Sequence, residues 1–358
     1  MKVLSIILVT FISLIGVVIF ELFSFPVPWM LGPLFAVLLS QFFIKKVSLE
    51  WPSYFRNIGL VIVGAAIGHS FQFDLFAGMG WLILFMLILN LTLVLLTTIM
   101  ALGVEKFSHI PLKTAITCTV PGGISQIVTF AEEEKDINLA IVTYFHVIRV
   151  ISIVMLIPFF VSGHVVKGDD HLGFSISTLL PLGLLILACW VFALIGKKLK
   201  LPVPFFLTPV FLVLILQLTS FNIPEVPVWL LHIAQLFIGA YIGFLLKPSM
   251  LKLGARVITI GIVSALVLLG ITLAQGWMVS YFFNYSLPTG FLSTAAGGLD
   301  QMSLLATAIG ADISAVTVFQ MFRLLFIFII VFPMLKVVCN WIDRRNGQIQ
   351  DAKVDVSN

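Results

Sequence analysis

The sequence predicts an all-α integral membrane protein built from two inverted repeats of five transmembrane helices, each with an additional re-entrant or broken Gly-Gly helix. Three observations predict this fold: the composition, the distribution of Lys and Arg, and a set of motifs that recurs along the chain. Of 358 residues, 60% are hydrophobic and only 10% are charged, with a mean hydropathy of +1.17. Because a soluble domain carries about 25% charged residues, soluble enzymes and nucleic-acid-binding proteins are excluded.

Long apolar runs, separated by short breaks, supply the predicted helices in order. A full crossing needs about 20 residues, and several runs are shorter. The first run follows Lys2 but precedes no small-x-small cleavage site, so we interpret it as a transmembrane helix and not as a cleaved signal. The apolar runs are 3–20, 29–44, 57–72, 81–103, 114–131, 138–161, 179–196, 204–218, 229–246, 257–281, 289–308 and 313–339.

Lys and Arg positions predict which side of the membrane each break faces, because cytoplasmic loops retain positive charge. If segment 114–131 crossed, the basic cluster at 197–200 would lie outside, and if segment 289–308 crossed, working back from the C-terminus, Arg344 and Arg345 would lie outside. Both conflicts disappear if segments 114–131 and 289–308 enter the membrane and return on the same side. The predicted topology is therefore ten crossings with both termini cytoplasmic.

Four motifs recur in the same order at an offset of 174 to 176 residues, which indicates an internal duplication. Because each half has five crossings, the halves are predicted to be inverted relative to each other, as in secondary transporters. The predicted organisation is a first repeat over 1–165, an external linker over 166–178, a second repeat over 179–343 and a cytoplasmic tail over 344–358. The paired motifs are 27–33 with 203–209, 58–68 with 233–243, 121–126 with 296–301, and 145–149 with 319–323.

The paired Gly-Gly elements are the first candidate site. A Gly-Gly pair in mid-membrane interrupts the helical hydrogen bonds, and such backbone is tolerated only where it is buried in protein or lines a watery cavity. Freed N–H groups at a helix start favour an anion. The alternative is that the glycines only permit close helix packing. The candidate substrate-binding residues here are Pro121, Gly122, Gly123, Ser125, Gln126, Gly297, Gly298, Asp300 and Gln301.

Arg149 and Arg323 stand at matching positions of the two halves, within predicted spans. An arginine at mid-membrane costs roughly 2.5–3.5 kcal/mol on insertion scales, so both are candidate substrate-binding residues. One reading is bidentate binding of an anionic group. The other is pairing with a carboxylate of the same repeat, such as Asp300 or Asp312 in the second half, or with carbonyls at a helix end.

Three titratable residues are candidates for ion or proton coupling: Asp300, Asp312 and His146. Desolvation beside Gly-Gly would favour proton or cation binding at Asp300, and a partnership with Arg323 is the alternative. His146 lies one turn before Arg149 and could gate protons, although a hydrogen-bonded structural histidine is the commoner case.

Patterns typical of enzymes are missing from the sequence. The histidines show no metal-binding spacing, and neither a phosphate loop nor a GxSxG elbow occurs. We therefore expect no enzymatic activity, no cofactor and no metal site. His164, His171, Asp169 and Asp170 could chelate a metal only adventitiously from the linker.

Three stretches resemble the AbrB membrane-protein family: Pro-Trp-Met-Leu-Gly-Pro at 28–33, Pro-Gly-Gly-Ile-Ser-Gln at 121–126, and 296–323. This duplicated bacterial inner-membrane family is often labelled an ammonia monooxygenase or a regulator of aidB expression, and it differs from the small DNA-binding regulator of the same name. The family usually has an acidic residue where Gln126 stands. Nothing in the sequence resembles a copper or di-iron monooxygenase site, and the sequence has no DNA-binding element, so an effect on gene expression would be indirect.

The function expected from these observations is secondary transport of a small polar or anionic solute by alternating access across the bacterial plasma membrane. The alternative suggested by the family label is a membrane sensor or regulator, and a membrane oxidase is a third reading. The expected partners are a small-molecule or ion substrate and the lipid bilayer, without nucleic acid. A homodimer is left open.

Overall fold

The computed structural model describes residues 2–44, 49–70, 79–134, 136–161, 176–199, 201, 203–219 and 223–357. All regular structure in these ranges is helical, so the predicted all-α class is confirmed. Residues 162–175 lie outside the described residues; they comprise most of the external linker and the four His and Asp residues considered above for adventitious metal binding.

Fifteen α-helices follow one another along the described chain. A 3₁₀ segment, Pro248–Leu253, precedes α11, and a π segment, Ile327–Val331, joins α14 to α15. The helices are α1 (Lys2–Leu22), α2 (Pro28–Phe43), α3 (Ser53–Ser70), α4 (Met79–Ser108), α5 (Leu112–Thr119), α6 (Ile124–Glu133), α7 (Leu139–Val161), α8 (Ile176–Lys198), α9 (Pro204–Leu218), α10 (Val228–Gly243), α11 (Ala255–Phe283), α12 (Leu287–Thr294), α13 (Leu299–Ile309), α14 (Ile313–Phe326) and α15 (Phe332–Ser357).

Seven helical stretches in the described chain are long and apolar enough to cross a membrane: α1, α4, α7, α8, α10 with the residues up to Met250, α11, and α14 continued into α15. The apolar helices α2 and α9 are shorter, with 16 and 15 residues. Large apolar side chains remain exposed along α1, α4, α8 and α11, as a lipid-facing surface requires. The multi-pass class is therefore supported, while the count of ten crossings and the side of each terminus stay predictions.

Each Gly-Gly segment is a broken helix. Segment 114–131 divides into α5 and α6, and segment 289–308 divides into α12 and α13. The breaks fall at Val120–Gly123 and Ala295–Gly298.

At the C-terminus, α15 continues as a helix through the predicted tail as far as Ser357.

The helices pack as two groups. The crossed group contains α1–α3 and α8–α10, in which α3 packs on α9 and α10 packs on α2. The broken-helix group contains α4–α7 and α11–α15. The principal packing between the groups is that of α3 against α13 and α14. Helix α3 is therefore the main element that joins them.

Glycines allow close crossing at two matched places in the crossed group. A Cβ atom on Gly68 of α3 would lie 2.8 Å from the carbonyl oxygen of Val210 on α9. A Cβ atom on Gly243 of α10 would lie 2.7 Å from the carbonyl oxygen of Leu34 on α2. Both distances are shorter than ordinary contacts, so only glycine fits at these crossings. The two crossings use equivalent positions of the duplicated motifs.

Side-chain hydrogen bonds repeat the same reciprocal pattern. Gln41 Nε2 on α2 donates to the carbonyl oxygen of Gly243 at 2.8 Å. Gln217 Nε2 on α9 donates to the carbonyl oxygen of His69 at 2.5 Å. Each half thus contributes a glutamine that satisfies the carboxyl end of a helix from the other half. This exchange interlocks the first three helices of each half.

Candidate functional site

A cavity of about 370 Å³ lies between the two helix groups. The crossed group supplies residues of α3, of α10 and of the start of α9, and the broken-helix group supplies both helix breaks. Ser125 belongs to α6, but its side chain lies outside the described part of the structure. The other ten residues predicted to bind substrate all line the cavity: Pro121, Gly122, Gly123, Gln126, Arg149, Gly297, Gly298, Asp300, Gln301 and Arg323.

Arg149 donates hydrogen bonds to the backbone of the first helix break. Its side chain, on α7, is buried, with 5% of the residue exposed. Nη1 donates to the carbonyl oxygen of Val120 at 3.1 Å, and Nη2 donates to that of Gly122 at 2.6 Å. These carbonyls have no helical partner because α5 ends at Thr119. The guanidinium group therefore supplies the donors that the interrupted helix lacks.

Arg323 on α14 holds the second break in the same way. Nη1 donates to the carbonyl oxygens of Thr294 at 2.9 Å and of Ala295 at 2.7 Å. Nη2 donates to the side-chain oxygen of Gln320. Ala295 is the repeat counterpart of Val120, so matched arginines bind matched carbonyls. Of the two readings given to these arginines, the described contacts show pairing with helix-end carbonyls.

His146 occupies a matched structural position in the first half. Its Nε2 atom lies 2.9 Å from the carbonyl oxygen of Thr117, and the residue is fully buried. Its counterpart, Gln320, donates from Nε2 to the carbonyl oxygens of Leu292 at 2.6 Å and of Ala295 at 3.0 Å. Gln320 lines the cavity, whereas His146 is outside the lining. The geometry thus gives His146 a structural hydrogen bond at the end of α5.

Asp300 has a different partner from Arg323, the arginine that the sequence offered as the alternative to a proton or cation site. Its Oδ2 atom lies 3.0 Å from Nη2 of Arg56 on α3 and accepts from Nε2 of Gln301 at 3.2 Å. Asp300 stands in the first turn of α13, next to α3, whereas Arg323 is engaged at the end of α12. Of the two alternatives for Asp300, the described contacts do not show pairing with Arg323, and the ion pair with Arg56 joins the two helix groups instead.

Arg56 is the functional candidate that sequence reasoning missed. Arg56 lies in the break before the apolar run 57–72, but α3 begins at Ser53 and places Arg56 in its first turn. The guanidinium carbon lies 5.0 Å from the centre of the Tyr241 ring, a cation–π distance. The only sequence signal for Arg56 is that it directly precedes the apolar run 57–72. Nothing in the sequence pattern linked it to Asp300.

Asp312 caps α14 and is outside the cavity lining. Its Oδ1 atom accepts from the backbone N–H of Ala315 at 2.9 Å, and its own N–H donates to Thr289 Oγ1 at 3.0 Å. Asn138 caps α7 in the matching place. Burial raises the pKa of the nearby Tyr285 phenol above its ordinary value, and the negative charge of Asp312 raises this pKa further. The contacts of Asp312 are those of a helix N-cap.

Two helix N-termini open onto the cavity. Gly123 is the N-cap of α6, and Gly298 is the N-cap of α13. The backbone of Gly298 has φ 114° and ψ 145°, a combination that side-chain-bearing residues avoid. Gln126 and Gln301 each occupy the third helical position and fold back against the N-cap glycine. The side-chain amide of a glutamine therefore lies beside the N-cap glycine at each of the two N-termini.

The lining of the cavity contains both charged and apolar side chains. Its formally charged groups are the guanidinium groups of Arg56, Arg149 and Arg323 and the carboxylate of Asp300, so positive charge is in excess. The described part of the chain contains no group of three or more His, Cys, Asp or Glu residues placed to hold a metal ion. The apolar residues of the lining include Leu60, Phe205, Leu245, Leu324, Ile327, Phe328 and Phe332.

The fold and the cavity define a class: a helical protein of multi-pass membrane type, with a positively charged cavity at two broken helices. The chain belongs to the family described as Transition state regulatory protein AbrB, whose model matches residues 29–339. The resemblance found in the sequence motifs is thereby confirmed.

Two curated relatives are similar to most of the chain. "Uncharacterized protein YhjN" of Bacillus subtilis (strain 168) is 26% identical over 377 residues, covering 97% of this chain and 95% of the relative. "Putative regulator AbrB" of Escherichia coli (strain K12) is 26% identical over 304 residues, covering 84% and 86%. Neither name states a transport function.

Proposed function

We propose that this protein is a secondary transporter that moves a small polar or anionic solute across the bacterial plasma membrane by alternating access. The observation that carries the proposal is the position of the cavity between two helix groups, at the meeting point of two broken helices. The proposal assigns no catalytic residue and no cofactor. The partners are the solute and the lipid bilayer, without nucleic acid.

The broken helices support a solute site because interrupted backbone is expensive in a membrane. Its polar groups persist only where protein or a watery cavity satisfies them. In transporters with inverted repeats, such backbone forms the solute site near mid-membrane. Here Arg149 and Arg323 satisfy carbonyls behind each break, while the N-termini of α6 and α13 remain directed to the cavity.

The contact between the groups supports alternating access. The crossed group is interlocked by reciprocal glycine crossings, and the broken-helix group packs on it mainly through α3. The Arg56–Asp300 ion pair spans this boundary. A relative movement of the two groups would separate the pair and change the side from which the cavity is reached.

The test is solute flux in proteoliposomes, measured as transient current or radiolabel uptake for organic acids, amino acids, amines and inorganic ions. Ile124→Trp places a bulky ring on the cavity lining and should abolish flux. Ile7→Trp changes a lipid-facing position that is 60% exposed and should leave flux intact. Equal flux in both variants, or no flux for any class in folded wild-type protein, would contradict the proposal.

A membrane sensor or regulator is the second candidate, favoured by the printed name of the E. coli relative. On this reading the cavity binds a ligand without flux, and a cytoplasmic partner responds. Affinity purification from membranes tests it. A single stoichiometric soluble partner, together with ligand binding and no flux in liposomes, would favour the sensor over the transporter.

A further inference from the structure

The two halves of the duplication meet the cavity differently. Helix α3 packs on α13 and α14, whereas the described helices show no comparable packing of α10, the repeat counterpart of α3, on α6 and α7. Arg56 and Leu60 of α3 line the cavity, while Leu231 and Gln235, at the matching positions of α10, lie outside the lining. The cavity therefore lies beside the start of α3 and not beside the start of α10.

The Arg56–Asp300 ion pair stands at the contact between α3 and α13. Arg56 is the fourth residue of α3, and Asp300 is the second residue of α13. Nη2 of Arg56 lies 3.0 Å from Oδ2 of Asp300, and the two side chains are 23% and 6% exposed. A partly buried ion pair is screened less by salt than one at the surface. The pair therefore contributes to holding α13 against α3.

The matching place in the duplication has no charged pair. The fourth residue of α10 is Leu231, and the second residue of α6 is Ser125. A leucine and a serine form no ion pair, so a contact between α10 and α6 would lack the interaction that joins α3 to α13. The sequence therefore provides the ion pair at only one of the two matching contacts.

This difference matters because alternating access exchanges the roles of the two halves. In transporters with inverted repeats, one bundle rocks against the other around a fixed site. Such an exchange would move α3 away from α13 and bring α10 against α6. An interaction that is present in one state and absent from the other shifts the equilibrium towards the first state. The Arg56–Asp300 pair is such an interaction, because no equivalent pair replaces it after the exchange.

We infer that the Arg56–Asp300 pair is a one-sided latch: it favours the access state in which the cavity lies beside α3, and the opposite state places Leu231 of α10 against Ser125 of α6. This inference rests on the proposed alternating access and on the predicted inversion of the repeats. It gives Arg56 and Asp300 a positioning role, in which they act on the equilibrium between the two access states.

Cross-linking tests the contact expected in the opposite state. Leu231→Cys and Ser125→Cys together place one thiol on α10 and one on α6, and the three native cysteines are buried. A short bismaleimide, added to the protein in nanodiscs, joins the two new thiols only when α10 lies close to α6. Intact mass spectrometry separates the cross-linked product from protein that carries one reagent molecule on each thiol.

Arg56→Gln and Asp300→Asn each remove the latch in this Cys-pair protein, so either variant should raise the initial rate of cross-linking at least about fivefold. Arg56→Lys keeps the positive charge and should keep the slow rate. Arg256→Gln makes the same change as Arg56→Gln at an exposed arginine of α11 and should leave the rate unchanged. Two variants remove the pair independently, so the test stands if one of them fails to fold.

Equal rates with and without the ion pair would overturn the latch, and cross-linking that is absent in every background would overturn the expected contact between α10 and α6. Solute flux separates this inference from the proposed function. Cross-linking that depends on the ion pair, in a protein that transports no class of solute, would refute transport alone. Solute flux together with cross-linking that is independent of Arg56 and Asp300 would refute the latch alone.

Discussion

Replacing Gly298 by alanine tests whether the backbone of the second helix break needs glycine. The backbone of Gly298 has φ 114° and ψ 145°. A residue with a side chain is strained by about 1–3 kcal/mol in this conformation. The added Cβ would also overlap Gln301 Oε1 and lie 3.2 Å from Asp300 Oδ1. Gly123 is the matched control, because its φ of −70° and ψ of 141° suit any residue. There the added Cβ meets only the flexible end of Gln126 and Gly123's neighbouring atoms.

We therefore expect Gly298→Ala to lower the free energy of unfolding by about 1–3 kcal/mol and Gly123→Ala to change it by less than about 1 kcal/mol. Thermal unfolding of both variants in the same detergent, followed by tryptophan fluorescence, measures the difference. Reversibility on cooling is the necessary control, because a free energy requires it. Equal destabilisation, or a larger effect at Gly123, would refute the backbone argument.

Three further substitutions test the packing, the helix breaks and the caps by the same unfolding assay. Gly243→Ala should lower the free energy of unfolding by about 1–3 kcal/mol, because the added Cβ meets the carbonyl of Leu34. Gly270→Ala, where the added Cβ has open space, should raise the free energy of unfolding by up to about 1 kcal/mol. Changes of the same sign in the two variants would contradict the close crossing at Gly243. Arg149→Met should cost about 1–3 kcal/mol by leaving the buried Gly122 carbonyl without the Arg149 donor, while the Val120 carbonyl keeps the N–H of Gly122 at 2.9 Å; a neutral effect would show that water satisfies the Gly122 carbonyl. Asp312→Ala should lower the free energy of unfolding by about 0.5–2 kcal/mol, whereas Asp312→Asn keeps the helix cap. Loss of flux in a stable Asp312→Asn protein would support Asp312 as a coupling residue.

Much of the site could be predicted because its signals are local. Gly-Gly in an apolar run is visible within a few residues, and its recurrence at a constant offset marked both breaks. Ten of the eleven predicted binding residues line one cavity for this reason. His146 and Asp312 were harder to assign, because a titratable side chain in a membrane segment has the same sequence signature whether it binds an ion or satisfies a helix end.

By itself, the sequence determined the membrane class, the helical fold and the positions of the two helix breaks, because hydropathy and glycine placement act over one or two helical turns. Only the tertiary structure decided that Asp300 pairs with Arg56, a residue 244 positions away. Only it showed that Arg149 and Arg323 bind carbonyls behind the breaks. Partner choice depends on which helix ends the packing brings together, and many packings satisfy one hydropathy pattern. The packing of the two halves through α2, α3, α9 and α10 selects the arrangement in which α3, α9 and α10 contribute to the cavity lining.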